Sequence, residues 1–303
     1  NINYTNSLYV ENMSITFDLN GYTLNLSSTE NWGHGLEVGT GGTVDIDDTG
    51  GGQLNLFGNN ASTNYGTGLY IHDGGSATVT NITSYGWANG ADCTGGYLHV
   101  KGNVQSGGNG VFAQSGSHVL IDGSITSGNM GAIASWEETV IEVKGNVNAN
   151  ALGLSVSAGT IKVDGYVHSN NFGGVSVSFD GTAEVGGDVT APSSFGVKVE
   201  NAGIATIDGN ITASQYILLD GVLMSTSVDD YIINGDGYYI YTDDVNTVRV
   251  KIKTCIIEGC STTLENGGFT KYSIIDDEIY YHVTSAKQLA HINEHLSLNY
   301  IQT

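Results

Sequence analysis

The sequence predicts an all-β chain wound as a parallel solenoid with rungs of about 21 residues, closed by a small C-terminal α+β cap. Three observations predict it. A glycine followed by an apolar, variable, apolar triplet recurs at near-constant spacing. Each such tetrad is followed by two further short alternating runs. Glycine is abundant and proline nearly absent, with 44 Gly and 1 Pro in 303 residues.

The tetrads open at Gly68, Gly90, Gly110, Gly131, Gly153, Gly174 and Gly196, in steps of 22, 20, 21, 22, 21 and 22 residues. Leu69-Tyr70-Ile71 and Val111-Phe112-Ala113 are typical triplets. Strand alternation turns their outer residues inward and the middle residue outward. The second run appears as Leu98-His99-Val100 or Ile141-Glu142-Val143. A turn such as Lys101-Gly102 or Asp122-Gly123 leads to the third run, Val104-Gln105-Ser106 or Ile125-Thr126-Ser127. Glycine supplies corner conformations that a Cβ would forbid. Proline cannot donate to a ladder, so a chain that is almost all paired strand avoids it.

Upstream, the pattern is looser. Ile15, Phe17, Leu19, Leu24 and Leu26 alternate, and Gly35-Leu36-Glu37-Val38 is an earlier tetrad. The long step from Gly35 to Gly68 reads as one rung with insertions at 47–52 and 57–64. The repeat fades after Asp220-Gly221, which divides the chain into a solenoid, 1–223, and a capping or linking piece, 224–303. An open solenoid end exposes core and unpaired edges, so a cap is physically required. Tyr231–Tyr241 reads as a hairpin and Thr247–Lys253 as a strand. Ser285 caps an expected helix with Ala286, Leu289, Ile292 and Leu296 on one stripe.

Over roughly residues 8–223, rung length and turn pattern resemble the right-handed parallel β-helix of bacterial surface proteins: filamentous adhesins, autotransporter passengers and pectate-lyase-like solenoids. Asp18-Leu19-Asn20-Gly21-Tyr22-Thr23-Leu24 looks like the opening rung of many such proteins. Val283–Ala290 with Asn299-Tyr300-Ile301 resembles a segment that precedes repeat modules in bacterial adhesins. The resemblance implies a secreted or cell-surface protein, of which this chain would be one part. The start, Asn1-Ile2-Asn3-Tyr4, is not a signal peptide.

Charge narrows the partners. With 9 Lys+Arg against 31 Asp+Glu the net charge is -22. Phosphate binding needs cations, so nucleic acid is disfavoured, and anionic lipid with it. No apolar run is long enough for a membrane-spanning helix. Lys101, Asp122, Lys144 and Asp164 alternate at one turn, beside Glu142, Lys162 and Glu184, and read as ladders that hold register. That reading leaves Lys198 as the one free cation of the solenoid.

In a solenoid, function belongs to columns rather than linear motifs, because equivalent positions stack about 4.8 Å apart. Trp32, Tyr65 and Trp87 each lie three residues before the opening glycine of a rung and form a candidate aromatic corner for stacking sugar rings. The outward middle of the first run gives a second column: Glu37, Tyr70, Asp92, Phe112, Ile133, Ser155, Ser176 and Lys198. Its apolar members suggest a contact surface. Glu37 and Asp92, about 9–10 Å apart if two rungs separate them, are the candidate catalytic carboxylates, with His72 and Asp73 on the rung between. Gly33-His34-Gly35 is similar to one element of the polygalacturonase pattern, but its companion Asp motifs are missing. Pectate-lyase-like enzymes use cations on this face, and none occurs before Lys198.

Asp47 and Asp48 are weak candidates for Ca²⁺, and no other cofactor is expected. Cys93 takes an inward slot and reads as a core thiol. Cys255 and Cys260, around Glu258-Gly259, are near enough for a disulfide across a local turn. The expected function is a non-catalytic, extracellular adhesin-type solenoid that offers Trp32, Tyr65, Trp87, Tyr70 and Phe112 to a glycan or a surface protein. The rivals are a polysaccharide-degrading enzyme using Glu37, Asp73 and Asp92, and a structural stalk or self-association module.

Overall fold

The computed structural model describes residues 1–28, 30, 33–46, 50–58, 66–227, 230–233, 237–252, 272–275, 278–283 and 299–302. The chain divides into two units, one of residues 1–225 with 242–248 and one of 226–241 with 249–303.

The first unit is a parallel β-solenoid with three strands per rung. First-run strands stack from Leu8–Val10 and Leu36–Val38 through Leu69–His72, Ala91–Thr94, Val111–Gln114 and Ala132–Ser135 to Leu152–Ser157 and Gly173–Ser178. Each pairs in parallel with the next at one residue per residue. Second-run strands stack likewise from Ser14–Phe17 to Ile204–Ile207, and third-run strands from Ile2–Tyr4 onward. Ile2–Tyr4 pairs with Thr23–Ser27, so the stack begins upstream of Leu8, where the sequence pattern first became legible.

Inward residues form columns of their own. Ile71, Cys93, Ala113, Ala134, Val156 and Val177 sit in one line, each fully or almost fully buried. Burial of a Val, Leu or Ile side chain stabilises by about 1.5–3 kcal/mol, and every rung contributes several. Cys93 is the core thiol expected. Burial pushes it up to about 11, so it is no thiolate at neutral pH.

The glycines answer to two different causes. The opening glycines from Gly68 to Gly196 have no left-handed backbone. They are required by close approach. A Cβ on Gly110 would lie 2.3 Å from Ile125 Cγ2 and 2.4 Å from the Gly131 carbonyl oxygen. Gly90, Gly131, Gly153 and Gly174 repeat that contact with the next rung. Left-handed residues gather instead at the corner between the first and second runs. This corrects the expectation that glycine served corner conformation throughout.

The last two rungs depart from the repeat. Val189–Val199 and Ile211–Leu219 run through the third and first positions as continuous strands. Their register shifts between Ala191 and Phe195, where the lone proline, Pro192, stands. A bulge is where a ladder tolerates a missing N–H. Val222–Met224 turns back antiparallel on Ile217–Leu219. Thr247 donates its N–H to the Gly203 carbonyl.

Two ladder assignments change. Lys144 pairs with Glu142 at 3.0 Å and Asp164 at 3.6 Å, and Lys162 with Glu184 at 3.8 Å, as expected. Lys101, however, donates to the Ile46 carbonyl, and His99 takes its place against Asp122 at 2.8 Å. Lys198 is not free, because Glu200 holds it at 2.9 Å.

In the second unit, Ile232–Ile233 pairs antiparallel with Tyr239–Ile240, the expected hairpin. Thr247–Lys251 is a strand, within the Thr247–Lys253 segment expected to be one. Tyr272–Ile275 runs antiparallel to Glu278–Val283, which is flanked in parallel by Asn299–Gln302. No helix occurs among the described residues. The helix expected after Ser285 lies outside them, as do Cys255 and Cys260.

Candidate functional site

The first-run ladder brings the candidate residues into one outward line. Register places Tyr9 beside Glu37, then Tyr70, Asp92, Phe112, Ile133, Ser155, Ser176 and Lys198 in succession. The column predicted from sequence is the column observed, with Tyr9 added at its start. Glu37 and Asp92 are two rungs apart, about 9–10 Å by strand spacing.

The next outward position carries His72, whose imidazole joins two carboxylates. Nδ1 lies 2.9 Å from Asp73 Oδ2 and Nε2 lies 3.3 Å from Glu37 Oε1. The Asp73 bond, chiefly, and then Glu37 raise the His72 pKa above its ordinary value against the opposing effect of burial. His34 behaves oppositely. Its Nδ1 accepts the Thr67 backbone N–H at 3.2 Å and lies 2.5 Å from the Thr67 hydroxyl. An acceptor Nδ1 assigns the proton to Nε2, and burial lowers the His34 pKa further. The Tyr70 ring packs against both imidazoles, each centroid 4.9 Å away. Tyr70 is therefore flanked by two imidazoles on this face. Its hydroxyl pKa is raised by burial and by the Glu37 and Asp92 carboxylates.

Asp92 is the most perturbed acid on this face. Burial pushes it up to about 6, although Asn89 donates to Oδ1 at 2.9 Å and works the other way. Glu37 and Asp92 thus sit in contrasting surroundings, one beside an imidazole and the other desolvated between Tyr70 and Phe112.

The corner before the first run is aromatic, though only partly through the residues named from sequence. Trp87 is 64% exposed. Its turn is fixed by the Ala88 N–H bond to the Tyr85 carbonyl and by the Ser84 hydroxyl donating to the Ala88 carbonyl at 2.9 Å. Tyr85 stacks on Phe57 of the preceding rung at 6.3 Å and 8°. Sequence reasoning missed this pair because it followed a single offset from glycine. Trp32 and Tyr65, and the Ca²⁺ candidates Asp47 and Asp48, lie outside the described residues. Among the described residues no group of three His, Cys, Asp or Glu side chains is placed to hold a metal ion.

The opposite corner, between the first and second runs, also escaped the sequence reading. Asp73, Gly95, Ser115, Trp136, Ala158, Phe179 and Asn201 form one column, and all have positive φ. For a residue with a Cβ this conformation costs about 1–3 kcal/mol, least for Asn and Asp. Trp136 and Phe179 are the two members that fit it worst.

Comparison with protein families, with curated proteins and with solved structures yields no match for this chain.

Proposed function

We infer that the solenoid is a non-catalytic extracellular binding module whose first-run face and adjoining aromatic corner take a glycan. The observation that carries this reading is the in-register line Glu37-Tyr70-Asp92-Phe112 bordered by the exposed Trp87. Flat apolar surface next to hydrogen-bonding groups suits a sugar, whose ring faces are apolar and whose rim is hydroxyl. Glu37 and Asp73 offer acceptors. The Tyr70 hydroxyl and Asn89 offer mixed donors and acceptors. Trp87 and Phe112 supply the stacking surface. With Lys198 engaged by Glu200, this face has little to hold an anionic sugar.

Depletion of the chain by a panel of insoluble polysaccharides tests the reading. A Trp87→Ala/Phe112→Ala double variant should lose retention on whichever polymer holds the wild type. Equal retention of the two proteins would remove this flank as the site.

A second reading is favoured by one observation, the separation of the Glu37 and Asp92 environments. An acid raised to about 6, with a second carboxyl group about 9–10 Å away, stands at the upper end of the separation used in inverting glycoside hydrolysis. In it, Asp92 protonates the leaving oxygen and Glu37, steadied by His72 and Asp73, activates water. New reducing ends released by the wild type, and abolished by Asp92→Asn, would establish it. Absence of product across neutral glucans, xylans and pectins would leave binding alone.

A further inference from the structure

Trp136 and Phe179 stand where the backbone disfavours them, and neither ring is repaid by burial. Their φ values are 74 and 52, and their rings are 67% and 58% exposed. They also share a line. Ser135, Ser157 and Ser178 are register partners. The ladder continues through the Trp136 N–H to the Ser157 carbonyl at 2.9 Å and the Ala158 N–H to the Ser178 carbonyl at 3.1 Å. The two rings are therefore two rungs apart, about 9–10 Å along the axis. Ala158, between them, presents only a methyl group.

The Trp136 turn is pinned. The buried Thr139 hydroxyl donates to the Ser135 carbonyl at 2.9 Å and accepts the Gly116 N–H at 3.2 Å. A groove lined by Ser115, Trp136, Glu138 and Ala158 opens beside the ring. Residues 136–139, 158–159 and 179–181 contain three acids, Glu137, Glu138 and Asp180, and no Lys or Arg.

We propose that this edge binds a neutral β-1,4-linked polysaccharide laid along the solenoid axis. In such a chain successive rings are turned over, so alternate rings show the same apolar face. The two-rung span between Trp136 and Phe179 fits that disaccharide step. One ring stacks on Trp136, the next passes over Ala158, and the third stacks on Phe179. Glu137, Glu138 and Asp180 accept hydrogen bonds from ring hydroxyls and repel uronates and sulfated sugars. The edge is separate from the Trp87 flank, so the two sites succeed or fail independently.

Affinity electrophoresis of the whole chain in gels containing hydroxyethyl cellulose tests the proposal, with polygalacturonate and polylysine gels in parallel. Trp136→Asn/Phe179→Asn suits the left-handed backbone, so its melting temperature should equal or exceed that of the wild type. Its affinity for the neutral glucan should fall by about tenfold or more. A Trp136→Tyr/Phe179→Tyr variant keeps both rings and should still be retarded. Polygalacturonate should retard neither protein. Three results would overturn the proposal: no retardation of the wild type by the neutral glucan, equal retardation of wild type and Asn variant, or failure of the Tyr variant. A difference confined to the polylysine gel would overturn it as well and assign the edge to a cationic partner.

Discussion

Two of the solenoid's glycine-rich corners look alike in sequence and differ in physics. At the corner that opens each rung, Gly90, Gly110, Gly131, Gly153 and Gly174 are hemmed in by the next rung's carbonyl and a Val or Ile methyl group. No side chain fits, whatever its conformation. At the corner after the first run, Gly74 and Gly116 have positive φ and nothing within 4 Å of an added Cβ. There the constraint is conformational, and the adjoining left-handed column accepts other residues at a cost, although Gly42, Gly75 and Gly96 at the same corner are packed against the preceding rung. One corner is closed to variation by packing. The left-handed positions of the other are open to side chains, and unusual ones accumulate there.

The largest effect should come from breaking the packed corner. Gly110→Ala places a methyl group against Gly131 backbone and Ile125, and should destabilise by about 3 kcal/mol or more, read from the denaturant midpoint. Gly116→Ala at the open corner should cost only about 1 kcal/mol, a matter of φ alone. If the two costs were equal, the distinction between corners would fail.

Asp92 provides the next effect, on the face between them. Its pKa rises from 3.8 to about 6 on folding, so the native state binds more protons than the unfolded state in that window. Stability contributed by this group is therefore lost as pH rises from about 4 to about 6. Asp92→Asn should gain about 1–2 kcal/mol at pH 7 and flatten the pH dependence of melting over that range. His72 works in the same direction at higher pH. Its raised pKa supports the fold below the ordinary histidine range, and that support fades as pH climbs through the folded value. His72→Gln should remove the second decline while leaving the first.

The smallest effect belongs to the second-run ladder. Lys144→Met removes exposed pairs with Glu142 and Asp164 and should move the denaturant midpoint only slightly, and less still in high salt. A loss as large as that of Gly110→Ala would mean that charge, rather than packing, holds the rungs together.

What could be read in advance follows the same division. The regular rungs were legible because burial imposes alternation and close approach imposes glycine, both visible as spacing. The line from Glu37 to Lys198 followed from that spacing alone. The imidazoles around Tyr70 did not, because His34 reaches it from the neighbouring rung and His72 from the adjacent outward position. Phe57 with Tyr85 lay off the single offset that defined the aromatic corner. Trp136 and Phe179 were hidden because backbone handedness leaves no mark on a hydrophobic pattern, and the residue types favoured there had been replaced. Lys101 and Lys198 were misassigned because long side chains choose partners in three dimensions, across two rungs or two residues along the strand.

All of these readings rest on one claim: residues far apart in sequence are collected into columns at one rung each. Spin labels at His118→Cys and Ile204→Cys, with Cys255 and Cys260 replaced by Ser, test it directly. The register from His118 through Val140, Thr160 and Thr182 to Ile204 spans four steps, so the attachment points should lie about 19 Å apart. A single narrow distance distribution near that value, allowing for label length, is the result predicted. A broad distribution, or a mean separation beyond about twice that spacing, would contradict the stacked parallel arrangement and every site built on it.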